Sequence, residues 1–194
     1  MERGRIIKGV GGFYTVLLAG GKTATCRARG HFRKEGVVPM IGDEVSVLPQ
    51  QDGYWAIQEI LPRKNALLRP PVSNIDQLII VVSASVPRPD WLLADKLIVQ
   101  AALLHITPVL VLNKCDEADA SISEIFASCY ERTFPTCRIS AATGEGIRAL
   151  RERLANRVSC LAGQSAVGKS SLLNALIPAL ALETGTLSKN TDRG

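Results

Sequence analysis

The sequence has no long hydrophobic run, no visible targeting segment and few cysteines. Although 46% of its 194 residues are hydrophobic, the longest apolar run, residues 78–82, has only the length of a strand. A membrane-spanning helix needs roughly 18–20 apolar residues, and no apolar segment follows the charged start of the chain as in a secretory signal. The five cysteines are Cys26, Cys115, Cys129, Cys137 and Cys160. Their odd number and scattered spacing favour reduced thiols in a cytosol over a disulfide framework or a zinc site. We therefore expect a cytoplasmic protein with no membrane contact.

The net charge of +5 is confined to the first third of the chain. Residues 1–70 contain 11 Lys/Arg against 6 Asp/Glu, whereas residues 71–194 contain 12 of each. This asymmetry indicates two units with different partners, of which the basic one suits a polyanion.

Residues 1–70 predict a small β-barrel. Short β-rich segments alternate with glycine pairs and with the turn at Asp52-Gly53, and about five short strands without a clear helix are typical of a closed or nearly closed barrel. This pattern alone does not distinguish an oligonucleotide-binding (OB) barrel from an SH3-like one. After prolines 62, 70 and 71, which we interpret as a connector, apolar strands alternate with helical patterns. Such alternation predicts an α/β domain with a parallel sheet covered on both faces, over residues 71–194.

A phosphate-binding loop is the most specific motif. The segment Gly163-Gln164-Ser165-Ala166-Val167-Gly168-Lys169-Ser170 matches G-x-x-x-x-G-K-[ST] and lies between a predicted strand and a predicted helix. Glycines let backbone N–H groups surround phosphate oxygens, and the helix N-terminus adds positive partial charge. We predict that Lys169 is the catalytic cation on the β- and γ-phosphates, and that Ser170 ligates Mg²⁺.

Two further segments favour guanine as the base. Asn113-Lys114-Cys115-Asp116 follows a buried strand, at the edge where open α/β sheets bind ligands. The Asp116 carboxylate suits the N1–H and N2–H₂ donors of guanine, the Asn113 amide suits N7, and the Lys114 stem suits the ring face. After the next strand, Ser140-Ala141 supplies a backbone N–H for guanine O6.

The order of these motifs is the reverse of that in Ras-like GTPases, because N-K-C-D precedes the P-loop. The chain therefore resembles the circularly permuted GTPases and, with its basic barrel, the ribosome small-subunit-dependent GTPase A (RsgA/YjeQ) family. The resemblance covers essentially all 194 residues. Beyond the nucleotide motifs it rests on three segments, which are residues 41–45, residues 74–77 and residues 168–176. Ser171, in the last of these, is predicted to bind the nucleotide together with the P-loop.

The resemblance implies an OB-type rRNA-binding barrel at residues 1–70 and a permuted GTPase domain at residues 71–194. It further implies GTP or GDP with Mg²⁺, ribosome-stimulated hydrolysis in late maturation of the 30S subunit, a monomer, and zinc held by a further domain. Position 166 departs from the family, since Ala stands where glycine is usual. No D-x-x-G segment is present. We expect residues 187–194 to approach the first switch, with both switches and the zinc ligands beyond the chain end.

Two alternatives to a GTPase stay open at this stage. A P-loop ATPase or nucleotide kinase needs only the phosphate loop, and a non-catalytic RNA-binding module needs only the barrel. In the barrel, cations are interleaved with aromatic residues: Arg3, Arg5, Lys8, Lys22, Arg27, Arg29, Arg33 and Lys34, with Phe13, Tyr14, His31 and Phe32. Each aromatic either stacks on a base or packs in the core.

Overall fold

The computed structural model describes residues 1–30, 32 and 36–180. The predicted RNA contacts His31, Arg33 and Lys34 and the predicted switch approach at 187–194 lie outside the described residues. Two compact units are present, Met1–Ile75 and a second that begins at Asp76. They divide five residues after the boundary expected at 70/71.

The first unit is a closed five-stranded barrel. Its strands are β1 (Glu2–Val10), β2 (Phe13–Leu18), β3 (Thr23–Ala28), β4 (Glu44–Pro49) and β5 (Trp55–Ile60). Their order is β1-β2-β3-β5-β4, with β1 closing onto β4 and β3 running parallel to β5. Alternate residues, among them Ile6, Val16 and Val47, point into the core. This topology is that of an OB barrel and confirms the fold expected from the family resemblance.

A hairpin occupies the segment that the prolines mark as a connector. Strand β6 (Ala66–Leu68) pairs with β7 (Pro71–Ser73) in an antiparallel two-stranded sheet. The segment interpreted as a connector therefore contains a hairpin, which belongs to the first unit. Three-residue strands are too short to show an alternating pattern, and Pro71 is tolerated because it begins its strand.

A buried carboxylate joins this hairpin to the barrel. Asp43 is fully buried, and its carboxylate accepts two hydrogen bonds from the Arg63 guanidinium, at 2.7 and 2.8 Å, and one from the Ser73 hydroxyl at 2.6 Å. Gly42 has φ +96°, and a Cβ there would lie 2.0 Å from the Ser73 carbonyl oxygen. The Ile41-Gly42-Asp43 segment is thus explained by packing within this unit.

The second unit is built on a four-stranded parallel sheet. Its strands are β8 (Gln77–Ser83), β9 (Thr107–Asn113), β10 (Thr136–Arg138) and β11 (Ser159–Ala162), in the order β10-β9-β8-β11. All seven residues of β8 are buried. This burial explains its continuous apolar sequence and confirms the predicted doubly covered sheet.

Helices follow the strands as the alternation predicts. They are α1 (Trp91–Leu103), α2 (Ala120–Phe126), α3 (Ile147–Leu154) and α4 (Lys169–Leu176), with short 3₁₀ turns at Cys115–Glu117 and Pro178–Leu180. Asp90 caps α1, because its carboxylate accepts the Leu93 N–H at 2.9 Å. Helix α2 is followed directly by a π-helical turn, Ala127–Glu131. Within the described residues, no helix combines the length and apolarity that a bilayer crossing requires.

Candidate nucleotide-binding site

The three predicted loops begin at the carboxyl ends of three strands of one sheet. The P-loop follows β11, the Asn113 loop follows β9, and the Ser140 loop follows β10. Because these strands are parallel, their carboxyl ends share one edge of the sheet, which is where ligands of open α/β folds bind.

The backbone of the P-loop requires its glycines. Gly163 has φ +137°, and a Cβ there would lie 2.2 Å from the Val81 carbonyl oxygen. Gly168 has φ +92°, and a Cβ there would lie 2.4 Å from Asn113 Nδ2. Ala166 between them has φ +61°, so the departure from the usual glycine falls at a left-handed position.

We expect Ala166→Gly to raise the free energy of unfolding by about 1 kcal/mol, because the left-handed conformation costs an L-residue more than glycine. Chemical denaturation monitored by circular dichroism measures this change. Ala149→Gly is the matched control, since Ala149 lies exposed inside α3 and its replacement should lower stability by about 1 kcal/mol. A loss of stability in both variants contradicts the prediction.

The Lys169 ammonium lies inside the loop that it closes. Its Nζ donates hydrogen bonds to the carbonyl oxygens of Gly163, at 3.0 Å, and Gln164, at 2.6 Å. Partial burial lowers the pKa of this amine, since desolvation disfavours the charged form. An anionic phosphate arriving at the loop offers the ammonium stronger acceptors than two neutral carbonyls.

Ser170, the residue after Lys169, fits the predicted role of magnesium ligand. Ser170 lies in the first turn of α4, and within the described residues no hydrogen bond engages its hydroxyl. A hydroxyl oxygen is a suitable hard ligand for Mg²⁺, which usually takes one or two protein oxygens beside phosphate oxygens and water. Ser165 is exposed at the tip of the loop.

Asn113 holds the three loops together. Its side chain is fully buried, Nδ2 donates to the Val167 carbonyl oxygen of the P-loop at 2.9 Å, and Oδ1 accepts the Ala141 N–H at 3.1 Å. The primary amide retains a second N–H for guanine N7. By contrast, the single N–H of Ala141, predicted for guanine O6, is directed to Asn113 in this structure.

A cavity of about 260 Å³ lies between these loops. Its lining includes Asn113, Lys114, Asp116, Ala141, Gly168 and Ser171. The Asp116 carboxylate is exposed and without a hydrogen bond among the described residues, so it is open to donors on a base. Lys114 has φ +66°, and its Nζ donates to the Val86 carbonyl oxygen.

Of the residues predicted in the two base-reading loops, Cys115 and Ser140 do not line this cavity. The Cys115 Sγ donates to the Leu112 carbonyl oxygen at 3.3 Å, and burial raises the pKa of this thiol. Ser140 is fully buried, and its hydroxyl accepts the Thr143 N–H at 3.1 Å. Both residues therefore shape their loops.

Sequence reasoning missed two lining residues, Glu117 and Ala142. Each directly follows a residue that was named, so the only available signal was adjacency.

A metal-ligand cluster is not found in the part of the chain that the structure describes. Among the described residues, no group of three or more His, Cys, Asp and Glu side chains is placed to hold a metal ion. The resemblance places the zinc ligands in a further domain, so the zinc stays a prediction.

A parallel sheet with a P-loop that follows the N-K-x-D loop in sequence defines the class of circularly permuted P-loop GTPases. Comparison with known proteins identifies the family. The RsgA GTPase model matches residues 60–194, and the RsgA N-terminal domain model matches residues 3–55. The chain belongs to the RsgA family.

Relatives support this membership across both units. The "Small ribosomal subunit biogenesis GTPase RsgA" of Caldanaerobacter subterraneus subsp. tengcongensis is 44% identical over 100% of this chain and 66% of its own length. The crystal structure of YjeQ from Thermotoga maritima has a TM-score of 0.82 at 36% identity, covering 95% of this chain and 68% of that one. YloQ, described as a circularly permuted GTPase, has a TM-score of 0.73 at 34% identity, covering 92% and 65%. The chain thus spans about two thirds of the length of these relatives.

Proposed function

We propose that this chain binds guanine nucleotide with Mg²⁺, hydrolyses GTP, and acts in maturation of the small ribosomal subunit. The observation that carries the proposal is the Asn113 side chain, whose two hydrogen bonds join the P-loop to the Ser140 loop around one cavity. The name of the 44% identical relative, a small ribosomal subunit biogenesis GTPase, agrees with it. An ATPase or kinase has no need for a base-reading carboxylate at Asp116.

In this proposal, each chain element has a defined chemical role. The backbone N–H groups of the P-loop and of the first turn of α4 surround the phosphates, and Lys169 places its charge on the β- and γ-phosphates. Asp116 accepts from the guanine N1–H and N2–H₂, and the Lys114 stem covers the ring. Mg²⁺, with Ser170 as its protein ligand, would neutralise developing charge on the phosphate oxygens.

The barrel supplies the contact with rRNA. Its excess of cations suits a polyanion, and an OB barrel binds oligonucleotides across its β2–β3 face. We further propose that the protein acts as a cytoplasmic monomer.

Nucleotide competition and turnover test this function. We expect GTP and GDP to displace a fluorescent guanine nucleotide at concentrations at which ATP has no effect. We also expect small ribosomal subunits to raise the steady-state rate of GTP hydrolysis. Equal competition by ATP would favour a P-loop ATPase. Binding of RNA without GTP turnover, with or without subunits, would favour a non-catalytic RNA-binding module.

A further inference from the structure

Three side chains form one cluster on the outside of the barrel, of which Phe13 and Arg27 are exposed and Tyr54 is half-buried. The Phe13 and Tyr54 rings lie 5.6 Å apart between centroids, inclined at 45°. The Arg27 guanidinium carbon lies 4.0 Å from the Tyr54 centroid and 5.0 Å from the Phe13 centroid. We call Phe13, Arg27 and Tyr54 the aromatic platform.

The position of the platform follows from strand register. Phe13 on β2 lies directly opposite Arg27 on β3, so both side chains leave the same face of the sheet. Phe13 is 41% exposed, whereas its neighbour Tyr14 is half-buried and packs against the core. Of the two possibilities for each aromatic, packing in the core applies to Tyr14, whereas Phe13 is available to stack on a base.

Asp52 holds the platform in place. Its carboxylate accepts a hydrogen bond from the Arg27 guanidinium at 3.3 Å, and it also accepts the Tyr54 backbone N–H at 3.1 Å. A cluster ordered before binding loses less conformational entropy when a ligand arrives. The same ion pair offsets the charge of Arg27, which makes this spot less suited to a phosphate than to a flat, neutral group.

The rest of this face suits a nucleic acid backbone. Lys8 on β1 lies opposite Thr15 on β2, and Thr15 lies opposite Thr25 on β3, one row along from the pair of Phe13 and Arg27. Apart from Glu2, strands β1 to β3 contain no carboxylate. Lys8 therefore lies two residues along and one strand across from Phe13, at roughly 8 Å between backbones, which its long side chain can span to reach the phosphate next to a stacked base.

We propose that the aromatic platform stacks one unpaired RNA base while Lys8 contacts an adjacent phosphate. Bases stack on aromatic rings and on arginine guanidinium planes. The bases of an A-form duplex are already stacked on one another, so the platform selects single-stranded RNA. This inference rests on the proposed rRNA contact and specifies its chemistry.

Fluorescence anisotropy of the full chain tests the platform. The probes are a single-stranded RNA of about 12 nucleotides, within the site size of one OB fold, and the same strand annealed to its complement. We expect Phe13→Ala and Tyr54→Ala each to weaken binding of the single strand about 5-fold or more, without changing the salt dependence. Arg27→Lys should also weaken it, although the charge is retained, because an ammonium does not stack as a guanidinium does.

The controls separate stacking from other effects. Leu17→Ala removes an apolar side chain of similar exposure, 39%, from the same face of β2, and we expect it to bind like wild type. Lys8→Ala should instead reduce the slope of log affinity against log salt by about 1. Thermal unfolding of each variant confirms that the barrel is folded.

Three results would contradict the proposal that the aromatic platform stacks an RNA base. One is a Phe13→Ala affinity equal to that of Leu17→Ala, and another is an equal loss for single strand and duplex. A third is unchanged single-strand affinity with weakened subunit binding, which would indicate a protein partner at the cluster. Wild-type binding to small subunits and GTP turnover are measured in parallel, so loss of the platform alone is distinguished from failure of the proposed function.

Discussion

Lys169→Ala is expected to lower GTP hydrolysis at least 100-fold, to below detection in a steady-state assay. The ammonium is the cation that the P-loop directs at the phosphates, and removal of one group that stabilises transition-state charge typically costs 10²–10³-fold in rate. The fold should persist, because the two hydrogen bonds lost are to carbonyl oxygens of the same loop, those of Gly163 and Gln164. Single-turnover hydrolysis measures the rate, and circular dichroism measures the fold.

Lys96→Ala is the matched control for this variant. Lys96 is an exposed lysine of α1, so its removal changes net charge equally and should leave hydrolysis unchanged. If Lys169→Ala retains a rate within a few-fold of wild type while folded, Lys169 is not the catalytic cation. If it unfolds, Lys169→Arg keeps a charge in the loop and gives a second measurement of the rate.

The position of the Asn113 loop was predictable from sequence because it follows a strand with a strong apolar signal, whereas the short strands β10 and β11 before the other two loops have a weaker one. Residues 78–82 and 108–112 are continuous apolar runs, and they form the two central strands of the sheet. In a parallel sheet, chain order alone then brings Asn113 and Gly163 to one edge.

The pairing of groups inside the site was not predictable in the same way. The sequence assigns the Ala141 N–H to guanine O6, whereas the structure directs it to Asn113 Oδ1 at 3.1 Å. Which of two acceptors a backbone donor meets depends on displacements of about 1 Å, and spacing in sequence does not carry that information. The same limit applies to Ser140, whose hydroxyl satisfies its own loop.

The sequence also did not predict which aromatic side chains of the barrel are exposed. Phe13 and Tyr14 are adjacent in a strand, so one of them must face outward, and alternation alone does not say which. The register of β2 with β3 decides the matter, because it places Tyr14 opposite the buried Cys26 and Phe13 opposite the exposed Arg27.

Asp116→Asn is expected to weaken GTP binding on the order of 100-fold or more and to improve binding of xanthosine triphosphate. The carboxylate accepts two hydrogen bonds from guanine, and bonds to a charged group contribute about 1.5–3 kcal/mol each. In the variant, the asparagine N–H₂ group faces the guanine 2-amino group, and two donors cannot form a hydrogen bond with each other. Xanthine has a 2-oxo group at this position, which accepts a hydrogen bond from the asparagine N–H₂ group. Competition of each triphosphate against a labelled nucleotide measures both changes.

Variants of two nearby carboxylates test whether the change in base preference is specific to Asp116. Glu124→Gln removes the same charge from an exposed position on α2, and we expect its base preference to equal that of wild type. Glu117 is the demanding comparison, because it follows Asp116 directly and lines the same cavity. If Glu117→Gln changes the preference from guanine to xanthine and Asp116→Asn does not, the base is read by the other carboxylate of this turn. A change confined to Asp116→Asn shows that the N-K-C-D loop reads guanine in the permuted order as it does in the ordinary one.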